Sequence, residues 1–303
     1  MPLPPSSRSY AIGEQPCAAP TLETGLYVVA TPIGNMGDIS LRAIATLAAA
    51  DIVLAEDTRV SRKLLNHYAI STPLAAYHDH NAAEMRPKVL ERLAAGQAVA
   101  QISDAGTPLV SDPGFKLVRD AIEQGYKVIP LPGASAVLAG LVVAGLPTDR
   151  FFFEGFLPPK AGARRSRLAE LATVPATVVF FESGPRLAES LADMAEVLGA
   201  ERLAVMAREL TKRFETVHRG TSAALAAHYA QHPPPKGEIV VMLGPPLATN
   251  TVTEADIDRD LTQMLQHASL KDAVAAVALA TGWPRKAVYA RALALLAGNG
   301  DKE

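Results

Sequence analysis

The residues best suited to bind a small molecule lie in the segment 103–114, which reads SDAGTPLVSDPG. It follows an apolar run and contains two Asp-led turns, two glycines and two prolines. Glycine permits positive φ and close approach of a ligand, and proline stiffens the loop. Asp104 stands where the apolar run ends, so its carboxylate can accept from a ribose hydroxyl or an amino group. The pattern favours a ligand-binding loop over an ordinary capped turn.

Two companion loops have the same character. Residues 31–35 read TPIGN, and residues 131–136 read LPGASA. The second opens a helix, and the free N–H groups at a helix N-terminus favour a carboxylate. Each loop alone is equally consistent with simple turn chemistry. Three such loops at one sheet edge together favour a ligand site.

Three common nucleotide and nucleophile motifs are missing from the chain. No G-x-G-x-x-G follows the first predicted strand, so an ordinary Rossmann NAD or Rossmann methyltransferase site is unsupported. The sequence also lacks the phosphate-binding G-x-x-x-x-G-K-[ST] loop and the G-x-S-x-G nucleophile elbow. If the loops bind a ligand, we therefore expect it to be of another kind.

The elements that position these loops alternate between strand and helix over residues 25–147. The strands are continuous apolar runs, which is typical of a parallel sheet buried on both faces. Ligands bind beyond the carboxyl ends of such strands. Residues 148–246 predict a second α/β domain with a mixed, more antiparallel sheet. Residues 254–303 predict a helical tail in which 270–281 and 285–297 form a helix-turn-helix-like pair.

The N-terminal residues and the composition narrow the class of protein further. Residues 1–24 predict a disordered arm, with no apolar core of a signal peptide, and no run is long enough to cross a membrane. The single cysteine, Cys17, allows no internal disulfide, and no Cys/His cluster predicts a metal site. These features predict a cytoplasmic protein without metal. The net charge of -2 means that any nucleic-acid contact must come from a local patch.

Eight ordered segments carry a specific resemblance: VATPIGNMGDISLRA, AEDTR, ISDAGTPLVSDPG, LPGASA, FEGFLP, FFESGPRL, RELTKRFE and GEIVV. Together they resemble the ribosomal RNA small subunit methyltransferase I family, within the tetrapyrrole methylase fold, from about residue 25 to residue 244. The resemblance implies S-adenosyl-L-methionine as the methyl donor, held in a cleft between two domains of a homodimer. It also implies 2'-O-methylation of the ribose of a decoding-centre cytidine, position 1402 of 16S rRNA in the small ribosomal subunit.

The same resemblance assigns donor contacts residue by residue. In the first domain they are Pro32, Asp104, Gly106, Thr107, Ala134 and Ser135. In the second domain they are Phe181, Glu182, Met206 and Gly237. The physical account agrees in kind, because adenine needs an apolar slot with backbone partners, and the methionine end needs N–H groups and carbonyls.

A ribose hydroxyl is a weak nucleophile, so a nearby base or hydrogen-bond acceptor would help it. The segment after the second strand offers Glu56 or Asp57 to orient the acceptor and Arg59 to contact a phosphate. Its alternative interpretation is a helix N-cap with acids at the positive end of the dipole. Other candidate bases are His78, Asp79 and Glu182. The run from His78 to Asn81 lacks a third ligand group, so it favours an RNA-contacting or solvated loop over a metal site.

One basic run could contact RNA phosphates. Lys160, Arg164, Arg165 and Arg167 have no acid between Glu154 and Glu170, which suits a phosphate backbone. A solvated helix face explains the same run equally well. In the tail, Arg285, Lys286 and Arg291 also allow RNA contact, whereas Trp283 is expected to pack in the turn.

Two other functions compete with rRNA methylation. The first is a small-molecule methyltransferase of the same fold that acts on a tetrapyrrole, although the basic run and the tail argue against it. The second is a non-catalytic sensor of an adenosyl ligand, with the helix-turn-helix as its output. Donor binding without turnover, together with binding to duplex DNA, would favour the sensor.

Overall fold

The computed structural model describes residues 8–111, 114–247 and 253–298, which form two five-stranded sheets, one two-stranded sheet and their accompanying helices. The chain divides into two compact units, Met1–Pro246 and Leu247–Glu303. The first unit holds both sheets, so the two predicted α/β domains are two halves of one unit. We call them the N-terminal half (25–147) and the C-terminal half (148–246).

The sheet of the N-terminal half is parallel throughout, in the order β5-β4-β6-β3-β7, which confirms the predicted class. The central strand β6 is buried along its whole length, as expected for a sheet covered on both faces. The strands are β3 Gly25–Val29, β4 Ile52–Ala55, β5 Leu74–Ala76, β6 Ala98–Ile102 and β7 Val128–Leu131. The helices are α1 Leu41–Ala49, α2 Thr58–His67, α3 Ala82–Ala94, α4 Phe115–Glu123 and α5 Ala136–Ala144.

The C-terminal half contains the predicted mixed sheet, in the order β11-β10-β12-β9-β8. Only β8 and β9 are parallel, and the other neighbours are antiparallel. The strands are β8 Phe151–Phe156, β9 Thr177–Ser183, β10 Leu203–Arg208, β11 Thr216–Thr221 and β12 Glu238–Leu243. The helices are α6 Ala161–Leu171, α7 Gly184–Leu198 and α8 Ser222–Gln231.

Helix α5 joins the two halves. Although it follows the last parallel strand, its buried residues Val137 and Leu141 pack with Val240 and Met242 of the mixed sheet. Gly140 permits this approach, because a Cβ there would lie 3.1 Å from a Val240 methyl group. Arg219 on β11 donates to the carbonyls of Val143 and Ala144 at the end of the helix. Helix α5 is thereby held against the mixed sheet of the C-terminal half.

Part of the N-terminal segment forms a hairpin, so the prediction of a disordered arm over residues 1–24 is wrong within the described residues. Strands β1 Ser9–Ile12 and β2 Gln15–Ala18 form an antiparallel hairpin. Arg8 donates to the Ala50 carbonyl over 2.6 Å and pairs with Asp51 over 2.8 Å. Backbone pairing and these bonds give an order that the Pro- and Ser-rich composition does not predict. Residues 1–7 lie outside the described part.

The second unit is helical, with α9 Glu254–Leu265, α10 Leu270–Thr281 and α11 Arg285–Gly298. Gly282 ends α10 in the left-handed conformation, at φ 71°, and Trp283 packs against the small core of the three helices. The predicted helix-turn-helix and the packing role of Trp283 are confirmed. In residues 8–111, 114–247 and 253–298, no helix combines the length and apolar character needed to cross a bilayer.

Candidate functional site

A cavity of about 380 Å³ lies where the carboxyl edge of the parallel sheet faces one edge of the mixed sheet. Its volume falls in the range of sites for small ligands. We call it the donor cavity. Seven of the ten residues that the resemblance assigned to the donor line it: Asp104, Gly106, Thr107, Ser135, Phe181, Glu182 and Gly237. The three strand-end loops and the second half therefore meet at one site.

The other three assigned residues lie elsewhere. Pro32 lines a smaller adjoining cavity. Ala134 is not in the lining, although its carbonyl accepts the Thr107 hydroxyl over 3.2 Å. Met206 is 1% exposed within the core of the C-terminal half, and its side chain does not line the donor cavity. The reason is strand alternation: side chains on β10 point to opposite faces, and the neighbouring Ala207 lines the cavity instead.

Hydrogen bonds tie the two main loops together. The N–H of Thr31 donates to the Gly106 carbonyl over 2.8 Å, and the Gly106 N–H returns a bond over 3.0 Å. The Ser103 hydroxyl also donates to the Gly106 carbonyl, and the Thr31 hydroxyl to the Ser103 carbonyl. Gly106 has φ 82°, a conformation that glycine adopts without strain. The part of the loop that carries Asp104 is therefore tied to the loop at Thr31 by backbone and side-chain hydrogen bonds.

The N-terminus of α5 contributes backbone donors. Ser135 is its N-cap, with its hydroxyl accepting from the Leu138 N–H. Ala136 and Val137 line the cavity, and a first-turn N–H has no carbonyl partner within its own helix. These groups, with the helix dipole, suit a carboxylate.

Aromatic rings and a buried acid form the opposite wall. Phe181 lies edge-to-face with Phe153 at 4.9 Å and with Phe156 at 5.7 Å between ring centroids. Glu182, 3% exposed, accepts from the Ser190 hydroxyl over 2.5 Å and from the Ser183 N–H over 2.8 Å. Its carboxylate is thus held in place by two donors.

Lys212 is a site residue that the sequence reasoning left unassigned. It lines both the donor cavity and the smaller cavity. Its ammonium group donates to Glu209 over 2.8 Å and to Glu238. Burial would lower the pKa of Lys212, but these two carboxylates raise it above its ordinary value. Lys212 lies in the segment RELTKRFE, which carries part of the family resemblance. Nothing in the spacing of that segment showed that the Lys212 side chain would reach the N-terminal half.

The predicted catalytic residues lie beside the donor cavity but do not line it. Asp57 is the N-cap of α2: its carboxylate accepts from the Arg59 N–H over 2.8 Å and pairs with the Arg59 guanidinium. These bonds lower the pKa of Asp57 to about 2. Its own N–H donates to Asp104 over 2.9 Å. Of the two interpretations of Asp57, the structure therefore agrees with the helix N-cap. The Arg59 side chain is 89% exposed.

Glu56 stands in a group of acids at the same sheet edge. Its pKa is raised, first by burial and then by the charges of Asp104 and Asp79, while His78 acts in the opposite direction. Asn81 caps the His78 loop, with its side chain accepting from the His78 N–H over 2.9 Å. Across the described ranges, no group of three or more His, Cys, Asp or Glu side chains could hold a metal ion.

The basic run does not form a free phosphate-binding surface. Arg164 is 2% exposed and pairs with Asp193 over 2.6 Å, so the prediction that it contacts RNA is wrong. Arg165 pairs with Asp193 and Glu196, and Arg167 pairs with Glu154 and Glu170. Asp193 and Glu196 lie on α7, whereas Glu154 and Glu170 flank the basic run in the sequence. The absence of acids between Glu154 and Glu170 therefore did not reveal that the arginines are paired. Lys160 is exposed.

The helical unit carries a basic groove. It is lined by Lys271, Val274, Arg285, Lys286 and Tyr289. Its three cations are exposed, and none has an ion-pair partner within residues 8–111, 114–247 and 253–298. Arg291 differs, because it is paired with Asp258 and Glu254. The groove therefore offers positive charge that no described neighbour neutralises.

Comparison with known proteins gives the family. The model for Tetrapyrrole (Corrin/Porphyrin) Methylases matches residues 25–226, and the RsmI C-terminal HTH domain matches residues 251–296. Ribosomal RNA small subunit methyltransferase I of Mesorhizobium japonicum is 54% identical over 96% of this chain and 99% of its own. The chain belongs to the ribosomal RNA small subunit methyltransferase I family.

Solved structures of methyltransferases have the same overall fold as this chain. A cobalt precorrin-4 methyltransferase superposes with a TM-score of 0.56 at 19% identity, covering 72% of this chain and 94% of its own. A uroporphyrin-III C-methyltransferase from Thermus thermophilus, complexed with S-adenyl homocysteine, gives a TM-score of 0.51 at 21% identity, covering 73% and 97%. At such identities the likeness concerns the fold alone.

Proposed function

We propose that this protein transfers the methyl group of S-adenosylmethionine to the ribose 2'-hydroxyl of the decoding-centre cytidine, position 1402, of 16S rRNA in the small ribosomal subunit. The observation that carries the proposal is the relative of that name, 54% identical along nearly the whole of both chains. The donor cavity also supports it, because seven residues that the resemblance assigns to the donor converge there.

The walls of the donor cavity match the parts of the proposed donor. Phe181 and Phe156 supply an apolar, aromatic surface for adenine. The first N–H groups of α5 suit the methionine carboxylate. The Asp104 carboxylate suits a ribose hydroxyl or the ammonium group. A methyltransferase structure of this fold that contains the donor's product, S-adenyl homocysteine, agrees with this choice of cofactor.

The reaction is an in-line displacement on a sulfonium. A lone pair of the ribose oxygen forms the new bond to the methyl carbon, and the carbon–sulfur bond breaks with its electron pair remaining on sulfur. The products are the methyl ether and a neutral thioether, S-adenosylhomocysteine, while the hydroxyl proton passes to a carboxylate or to solvent. Holding oxygen and carbon about 3–3.5 Å apart supplies much of the acceleration.

RNA contact is assigned to the basic groove of the helical unit rather than to the run on α6. Lys271, Arg285 and Lys286 supply phosphate contacts, and Tyr289, 46% exposed, supplies a ring for stacking. Lys160 and Arg59 remain candidates for further phosphate contacts. The homodimer and the cytoplasmic location stay predictions.

The test is methyl transfer to small ribosomal subunits that lack this mark. Purified protein and isotopically labelled donor are incubated with the subunits, and nucleosides of the 16S rRNA are analysed by mass spectrometry. We expect labelled 2'-O-methylcytidine at one position. A precorrin-like acceptor serves as the control arm. Donor binding without transfer to the rRNA would refute the proposal, and transfer to the precorrin would assign the protein to tetrapyrrole chemistry instead.

A further inference from the structure

A second, smaller cavity adjoins the donor cavity. Its volume is about 190 Å³, and its other walls come from Ser103, from the loop 31–36 and from α2. The two cavities share five lining residues: Ile33, Asp104, Ala105, Lys212 and Glu238. In-line displacement requires the nucleophile to approach the methyl group from the side opposite sulfur. A space that shares a wall with the donor site can hold such a nucleophile.

Ser61 gives this smaller cavity an unused hydrogen-bonding group. It lies on α2, lines the cavity and is 2% exposed. A serine within a helix commonly bonds its hydroxyl to the carbonyl one turn earlier. The Ser61 hydroxyl has no hydrogen-bond partner in the part of the chain that the structure describes. A buried hydroxyl without a partner is destabilising, and a ligand group in the smaller cavity would supply the missing partner.

Lys212 forms the wall between the two cavities. Its aliphatic stem lies over the loop of the N-terminal half, where a Cβ on Gly34 would come within 2.4 Å of the Lys212 Cγ. Two of its three ammonium hydrogens are used by Glu209 and Glu238, so one donor remains. Gly34 is thus required for a lysine from the second half to reach the loop of the first.

We propose that the smaller cavity receives the acceptor nucleoside, turned out of the RNA, and that the Ser61 hydroxyl binds it. Val60, Met36 and Leu64 provide apolar surface for the faces of a base, and the first two are exposed at the cavity mouth. Extrusion of a nucleotide is the usual solution where an enzyme must reach an atom within folded nucleic acid. This inference rests on the proposed function and adds the place of the acceptor.

Ser61→Ala in the full-length protein tests the proposal. We expect KM for the small subunit to rise about 5- to 20-fold, because one hydrogen bond to the acceptor is lost. The donor Kd, measured by calorimetry, should stay at the wild-type value. The melting temperature should stay the same or rise, since the removed hydroxyl has no partner in the free protein.

Two further variants sharpen the result. Ser61→Leu fills the cavity and should abolish transfer while donor binding persists. Thr72→Ala is the matched control: Thr72 is 4% exposed and donates to the Leu47 carbonyl over 2.7 Å, away from both cavities. It should lower the melting temperature and leave KM unchanged, which is the pattern of a purely structural residue.

The outcomes separate this inference from the proposed function. If the wild type binds the donor but methylates no rRNA, the proposed function fails. If the wild type methylates rRNA and Ser61→Ala has an unchanged KM, only the acceptor cavity is overturned. A weaker donor Kd in Ser61→Ala also overturns it, because the smaller cavity would then belong to the donor.

Discussion

Removing the Asp193 carboxylate should test whether the arginines of α6 are structural. Arg164 and Asp193 are 3% and 5% exposed at their side chains, and their nearest atoms are 2.6 Å apart. Burial would raise the pKa of Asp193, yet Arg165 and Arg164 hold it below its ordinary value. Asp193→Ala therefore leaves a buried guanidinium without its main partner.

The expected loss is large. Breaking a buried ion pair by removing one partner costs about 3–5 kcal/mol. Arg164 keeps the Pro159 carbonyl and the exposed Glu189 carboxylate, both more than 3 Å away, so we expect the lower end of that range. For a unit of this size, about 3 kcal/mol lowers the melting temperature by roughly 6–12 °C. Differential scanning calorimetry measures this shift directly.

Two controls make the result decisive. Glu196, whose side chain is 62% exposed, pairs with Arg165 at the surface. Glu196→Ala should therefore lower the free energy of unfolding by at most about 1 kcal/mol. The double variant R164M/D193L replaces both buried charges and should recover most of the stability. It should also bind rRNA with wild-type affinity. A melting temperature of Asp193→Ala within about 2 °C of wild type, or weakened rRNA binding by the folded double variant, would refute the structural role.

Three other predictions concern the donor site, the acidic group and the tail. Asp104→Ala should weaken donor binding about 10- to 100-fold by calorimetry, because a charged hydrogen bond is lost, and an unchanged Kd removes Asp104 from the site. The pKa of Glu56 is raised in the folded protein, so ionisation of its carboxylate as pH rises destabilises the folded state relative to the unfolded state. Glu56→Gln should therefore be more stable than wild type at pH 7 and equal to it below pH about 4; a less stable variant at pH 7 contradicts this. The triple variant K271Q/R285Q/K286Q should reduce the salt slope of rRNA binding by about 2. Fluorescence anisotropy across a salt series measures that slope, and an unchanged slope excludes the groove.

Sequence reasoning was most successful where the signal is local. The alternation of apolar strands and helices over residues 25–147, with its Gly- and Pro-containing loops, was predicted because burial and turn chemistry act on neighbouring residues. The three-residue strand β5 was missed, since its residues are only half-buried and give little pattern. The hairpin formed by β1 and β2 was missed because Arg8 stabilises it from a distant partner, Asp51.

The candidate site was predicted in part for the same reason. Asp104, Gly106 and Thr107 belong to one short loop, whose composition alone indicates ligand binding. The Met206 side chain lies in the core instead of the cavity, because strand alternation decides which of two adjacent residues faces the cavity. Arg164 was assigned wrongly because its partner, Asp193, lies on another helix.

The sequence by itself determined the fold class, the family and the loops that gather at the sheet edge. Only the tertiary structure decided which charges are free. Arg164 and Arg291 look like phosphate ligands in the sequence, yet each is paired with acids brought from other helices. Lys212 looks unremarkable there, yet it reaches the loop at Gly34 and divides two cavities. The physical reason is that neighbours in space decide whether a charged side chain is paired or available to a ligand. Those neighbours are set by packing between elements that are distant along the chain.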